Sequence, residues 1–254
     1  MIISIINHSH GLVSDERLQR AIRAVNRQIE KDFEPYWSLG AKLRLEGRSE
    51  KRPTKLSLPD LRGDAIVYLW DKADSDFLGY HERNARGIPF GFVFLDISAA
   101  LKEEWTVTLS HEALELIADP EVNLMVKGPH PRKPNRTVFH WYEMSDAVQS
   151  ETYEIDGEAV SNFVLPLYFT GSNERGGRND FLGRPHKGRT LRSFGVKPGG
   201  YIGFFDPKTG KNHYYSEPDD PVAAKRLKIK GRVKAGRRSA RYRQALGMAF
   251  RRVV

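Results

Sequence analysis

Three short apolar runs constrain the fold of this chain more than any other feature of its sequence. They cover Ile2–Ile6, Ala65–Trp70 and Phe90–Ile97, and β-branched and aromatic residues are frequent in them. Runs of this length and composition are typical of buried strands. We therefore expect all three to be strands.

A helix is predicted between the first two runs. It begins at Ser14 or Asp15, either of which can cap a helix, and its apolar residues recur at helical spacing to about Phe33. Pro35 is expected to close this helix.

A second helix, from about residue 103 to residue 118, carries the most distinctive motif of the chain. Pro120 disfavours helical geometry at Asp119, so the helix must end there. His111 and Glu115 are four residues apart, which separates them by about 40° around the helix and about 6 Å along it. Both side chains can therefore bind one ion.

The sequence around these residues reads H-E-x-x-E. In H-E-x-x-H metallopeptidases, the Glu beside the first His is the general base that acts on metal-bound water. Glu112 has that position here, and Glu115 replaces the second His with a carboxylate, which is an acceptable zinc ligand. The pattern also arises by chance on helices, but the apolar residues lie on the opposite face and favour a site.

The third ligand must come from elsewhere in the chain. Glu143 is the first candidate, Asp119 the second and Asp146 the third; each could instead be an ordinary surface carboxylate. His81 and His140 flank predicted strands and could line a cleft, although a surface role is the stronger expectation.

One neutral His with two carboxylates cancels the +2 charge of an ion. Such a site polarises a carbonyl less than a site with two histidines does, and it suits harder ions better. The cofactor predicted is zinc, with manganese or calcium as alternatives.

The remainder of the chain is predicted to be strands and loops. Asp156-Gly157 is a typical hairpin turn, the stretch from Pro129 to Pro134 is expected to be a loop, and residues 171–200 form a loop rich in Gly and Arg. One more strand is predicted before the second run, at Ala41–Leu45. In the remainder, the predicted strands are Thr137–Tyr142, Tyr153–Ile155, Ala159–Val164 and Tyr201–Phe205. Tyr201–Phe205 is predicted to be the last strand of the chain and to end at a turn.

Several segments resemble a poorly characterised group of zincin-like metallopeptidases. These segments include TLSHEALELIADPEVN, WYEMSD, YEIDGEAVSNFVLPLYF and GYHERNARGIPFGFVF, and the resemblance spans roughly residues 1–206. It implies an α+β, zincin-like fold in which a mixed sheet backs the active-site helix, together with metal binding. The divisions expected are an amino-terminal subdomain (1–120), a carboxy-terminal subdomain of irregular and β structure that completes the site (121–221), and a tail (222–254).

The tail carries the positive charge of the protein. Residues 222–254 contain 12 Lys and Arg and no acidic residue, which leaves 29 basic and 32 acidic residues elsewhere, although the whole chain has a net charge of +9. A segment of this kind is expected to bind nucleic acid or another polyanion, unless it is only a solvated extension. The chain has no Cys, no run of about 18 apolar residues and no basic start of a secretory signal, so we expect no membrane association and a cytoplasmic or virion-associated location.

Two functions follow as hypotheses. The first is a metal-dependent hydrolase that acts on peptides or proteins. The second is a non-catalytic binding or structural protein, such as a component of a virion or another assembly, that acts on nucleic acid through its tail.

Overall fold

The computed structural model describes residues 1–51, 53, 57–73, 81–84, 86–171 and 177–230. They form a mixed α+β structure, which confirms the predicted class. In chain order, the strands are β1 Ile2–His8, β2 Lys42–Glu46, β3 Ala65–Trp70, β4 His81–Arg83, β5 Pro89–Phe94, β6 Met125–His130, β7 Lys133–Trp141, β8 Thr152–Ile155, β9 Glu158–Ser161, β10 Ile202–Asp206 and β11 Lys211–Tyr215. The α-helices are α1 Asp15–Gln28, α2 Glu34–Trp37, α3 Leu95–Leu101, α4 Trp105–Ala118 and α5 Pro221–Lys230.

The first sheet has five strands in the order β2-β1-β3-β5-β4. Strands β1, β2, β3 and β5 are parallel, and β4 pairs antiparallel with β5 at one edge. Alternate residues of β3 belong to different apolar clusters: Val67 packs with α1 and α4, whereas Tyr68 packs with Phe92 on the other face. Because both faces are buried, these strands have the continuous apolar sequence from which they were predicted.

A second sheet is antiparallel, with the order β11-β10-β7-β6, and β8 and β9 form a separate hairpin. The hairpin turn predicted at Asp156-Gly157 is confirmed, with φ values of 52° and 76° at these two residues. Helix α4 contacts β4 and β5 of the first sheet on one side and β9 of the hairpin on the other. This helix is consequently buried along most of its length.

Helix α1 begins as predicted, because the Ser14 hydroxyl accepts a hydrogen bond from the backbone of Arg17. Pro35 does not close the helical segment. A π-helical turn at Ile29–Phe33 leads directly into α2, and Pro35 lies in the first turn of α2, where a missing N–H is tolerated. The segment ends at Ser38, which is left-handed.

Three other predictions differ from the structure. The third apolar run is a strand only to Phe94, and its last residues belong to α3. The predicted proline loop is part of the β6–β7 hairpin, in which the register shifts at Pro129 on edge strand β6, and proline is compatible with such a position. Strand β10 is not the last strand, because the turn after it leads into β11.

The predicted tail is described only to Lys230, and its first residues form α5. Ala223 and Arg226 of α5 are buried. The Arg226 guanidinium donates hydrogen bonds to the Glu103 carboxylate and the Ser150 hydroxyl, each at 2.7 Å. The start of the tail therefore packs against the rest of the protein, and residues 231–254 lie outside the described residues. Within the part of the chain that is described, no helix combines the length and apolar character needed to span a bilayer.

Candidate metal centre

Helix α4 runs from Trp105 to Ala118 and ends before Pro120, as predicted. His111, Glu112 and Glu115 are 3%, 3% and 1% exposed. Polar side chains are rarely so deeply buried unless they bind one another, a ligand or a metal ion. The H-E-x-x-E motif is therefore part of the protein interior and not of a solvated helix face.

Ser110, directly before the motif, connects α4 to its two neighbours. Its hydroxyl donates to the Gln28 side chain of α1 at 2.8 Å and accepts from the Ser161 backbone of β9 at 2.9 Å. Gln28 in turn donates to the Ser161 carbonyl at 2.7 Å. This closed set of hydrogen bonds fixes the rotation of α4, and with it the direction of the site residues.

His111 faces two carboxylates. Its Nε2 lies 3.3 Å from Glu115 Oε2 and 3.4 Å from Asp146 Oδ1. Ligand atoms around a tetrahedral zinc ion, bound at about 2.0–2.1 Å, are about 3.3 Å from one another. These three side chains therefore have a spacing that fits a metal ion.

His81 is the residue that the sequence interpretation missed. Instead of lying at the surface, its imidazole is only 6% exposed; Nδ1 lies 2.9 Å from Glu112 Oε2 and Nε2 lies 3.5 Å from Glu143 Oε2. Strand β4 brings it there, because pairing with β5 places this edge strand beside α4. A signal was available, since His81 is part of the GYHERNARGIPFGFVF segment on which the family resemblance depended.

Glu143 and Asp146 both reach the cluster from the segment that follows β7. The Ser145 backbone between them donates to Glu115 Oε1 at 3.2 Å, which ties this segment to α4. Glu143 lies beside His81, whereas Asp146, the third-ranked candidate, lies beside His111. The two residues therefore face different histidines.

Asp119, the second-ranked ligand candidate, has another role. Its carboxylate accepts hydrogen bonds from the backbone of Asn123 and Leu124, both at 3.0 Å. It thereby stabilises the turn that follows α4. Among the described residues, neither group of side chains with metal-binding geometry includes Asp119, because the helix ends before it and turns its carboxylate towards that loop.

His140, the other histidine considered from the sequence, lies away from the cluster. It is in the second sheet, where it contacts the Pro129 carbonyl through Nε2 at 2.8 Å.

Burial and charge act in opposite directions on the histidines of the cluster. Burial disfavours the imidazolium form, but the carboxylates of Glu143, Glu112 and Glu115 outweigh it and raise the pKa of His81 to about 9. In the same way, Glu115 and Asp146 raise the pKa of His111 well above its usual value despite burial. Burial raises the pKa of Glu115 to about 7. The surroundings therefore stabilise positive charge at this place.

A small cavity adjoins the cluster. It has a volume of about 20 Å³ and is lined in part by His111, Glu112, Gln149 and Tyr201. A cavity needs about 10–15 Å³ to hold a water molecule. There is consequently room for about one water beside the Glu112 carboxylate.

Comparisons of the chain with models of known protein families, with curated proteins and with solved structures find no match. Its function is therefore inferred from the residues of the site.

Proposed function

We propose that the protein is a metal-dependent hydrolase of the zincin type, in which His111, Glu115 and Asp146 hold a divalent cation. The observation that carries this proposal is the approach of two buried carboxylate oxygens to His111 Nε2 at 3.3 and 3.4 Å, next to Glu112. Asp146 replaces Glu143 as the preferred third ligand, because it is Asp146 that faces His111. The packing of a mixed sheet against α4 also supports the sequence resemblance to zincin-like metallopeptidases.

Glu112 is the proposed general base. A bound cation would supply a Lewis acid that lowers the pKa of water and polarises the scissile carbonyl. Glu112 would accept the proton of the attacking water and return it to the leaving nitrogen of a peptide. The cavity beside Glu112 supports this role, and the contact with His81 Nδ1 holds the carboxylate in position.

Metal content tests the proposal first. Protein purified without chelators or nickel resin is expected to contain zinc, manganese or calcium at one or more ions per chain, measured by mass spectrometry. His111→Ala is expected to lose the ion that this residue holds. Equally low metal content in both proteins would contradict the proposal.

Peptide hydrolysis tests the role of Glu112 as the general base. Glu112→Gln is expected to lower peptide hydrolysis by at least about a hundredfold while metal content and circular dichroism stay unchanged, because general base catalysis contributes about that factor or more. Glu104→Gln is the matched control, since Glu104 is an exposed residue at the start of the same helix. Unchanged turnover in Glu112→Gln would remove this residue from the mechanism.

A second candidate function rests on the charge of the tail. The 12 basic residues of 222–254 contrast with a body that carries a small excess of acidic residues. In this second candidate function, the protein binds nucleic acid through residues 222–254, and the metal centre stabilises the fold without catalysis. A metal-loaded protein that hydrolyses no peptide but binds DNA or RNA would favour this candidate.

A further inference from the structure

The ligand atoms of the cluster fall into two groups. His111, Glu115 and Asp146 form the first group, and His81, Glu115 and Glu143 form the second; within each group the ligand atoms lie within 4.8 Å of one another. Each group combines one imidazole with two carboxylates, at a spacing that could hold one ion.

Glu115 belongs to both groups. Its Oε1 accepts a hydrogen bond from the Ser145 backbone, whereas Oε2 lies 3.3 Å from His111 Nε2 and 3.4 Å from His81 Nδ1. No hydrogen-bond donor among the described residues satisfies Oε2, although the side chain is 1% exposed. This buried carboxylate lies between the two imidazoles, and to bridge ions at His111 Nε2 and His81 Nε2 it would turn from the Nδ1 edge of the His81 ring.

The orientation of His81 is that of a metal ligand. Its Nδ1 is engaged by Glu112 Oε2 at 2.9 Å, whereas Nε2 is buried, has no hydrogen-bond partner in the described part of the chain, and faces Glu143 at 3.5 Å. Metal-binding histidines characteristically donate one ring N–H to a carboxylate and present the other nitrogen to the ion. Glu112 would thus orient His81 as well as face the cavity.

The charge of the cluster is compatible with two cations. Imidazoles that bind ions are neutral, so in that state the cluster carries the negative charges of the Glu112, Glu115, Glu143 and Asp146 carboxylates. Two divalent cations would balance these four charges.

We infer that the protein binds two divalent cations that share Glu115, one at His111 and Asp146 and the other at His81 and Glu143. Two cations so placed would activate the attacking water and polarise the scissile carbonyl. The inference rests on the proposed function only through the ion at His111, and it adds a second ion. Imidazole and carboxylate ligands together suit Mn²⁺ and Zn²⁺.

Titration of metal-depleted full-length protein with Mn²⁺ tests the inference through stoichiometry. We expect two Mn²⁺ per chain by equilibrium dialysis, and an electron paramagnetic resonance spectrum broadened by coupling between two ions about 3.5–4 Å apart. His81→Ala is expected to bind one Mn²⁺ and to give the sharp spectrum of an isolated ion. His130→Ala is the matched control, because His130 lies in the second sheet, and it should still bind two.

The outcomes separate the two proposals. One uncoupled Mn²⁺ in the native protein would overturn the binuclear centre and leave the proposed function standing, whereas no bound Mn²⁺, with no zinc or calcium in the purified protein, would overturn both. Two Mn²⁺ in a folded His81→Ala protein would also overturn the assignment. If circular dichroism shows that His81→Ala is unfolded, Glu143→Gln replaces it, with the same loss of coupling expected.

Discussion

Acidification should destabilise this protein through His140, a residue outside the candidate metal centre. The imidazole is 2% exposed and lies against Phe194 and Phe204. Its Nε2 contacts the Pro129 carbonyl, and its Nδ1 is buried without a hydrogen-bond partner among the described residues. The neutral form fits this place, whereas a proton on Nδ1 would be buried and unsatisfied.

The effect can be calculated from the pKa. Burial lowers the pKa of His140 from 6.5 to about 4. Because the folded state binds the proton more weakly, the unfolded state holds more protons between these two values, and stability falls as the pH falls from 6.5 towards 4. The full difference is about 3 kcal/mol at 1.36 kcal/mol per pKa unit, and about 2 kcal/mol of it should be lost between pH 7 and pH 4.5.

Urea unfolding at pH 7 and pH 4.5, followed by tryptophan fluorescence, measures this loss. His140→Gln can still donate to the Pro129 carbonyl but does not titrate, so its unfolding free energy should fall less with acidification. All other titrating groups are common to both proteins, and the difference between the two pH dependences isolates His140. Parallel dependences would refute the assignment of a buried neutral imidazole.

Three further predictions concern the connections between α4, α5 and the rest of the protein. Ser110→Ala should lower the unfolding free energy by about 2 kcal/mol in urea unfolding, because it leaves buried polar groups of Gln28 and Ser161 without their partner; an unchanged midpoint would contradict the role of this hydroxyl. Deletion of residues 222–254 should cost about 3 kcal/mol, because it removes Arg226 from the Glu103 carboxylate, whereas deletion of 231–254 should leave the melting temperature nearly unchanged. The shorter deletion removes eight of the basic residues. It should therefore weaken DNA binding, measured by fluorescence anisotropy, and reduce the salt dependence of this binding. Equal affinity of the full-length and the shortened protein would show that residues 231–254 do not contribute to DNA binding.

Local sequence patterns predicted the central strands and α4 because each depends on residues close together in the chain. The run at Ala65–Trp70 is apolar throughout since both faces of its sheet are covered, and its short length and its β-branched and aromatic residues favour a strand over a buried helix. The end of α4 depends only on Pro120. Pro35 differs from Pro120, because a π-helical turn precedes it and places it in the first turn of α2, where proline is tolerated. Residue spacing does not indicate such a turn.

Residue spacing alone predicted the part of the candidate site that lies on one helix, whereas Glu143 and Asp146 were named only as alternatives for a third ligand. His111, Glu112 and Glu115 are related by helical geometry, so their mutual approach is a local property. His81 reaches them through the pairing of β4 with β5 and the packing of α4, and these are tertiary relationships. The choice between Glu143 and Asp146 likewise depends on how the chain turns after β7, which residue spacing does not determine.

The candidate ligands come from three separate parts of the chain: an edge strand, a central helix and the segment after the second-sheet hairpin. A cation bound to all three would act as a crosslink that exists only in the folded state, so the free energy of binding would add to the free energy of folding. At a metal concentration a thousand times the dissociation constant, this addition is about 4.1 kcal/mol. The stability of the protein, and hence its resistance to proteases, would then vary with the supply of the metal in its surroundings.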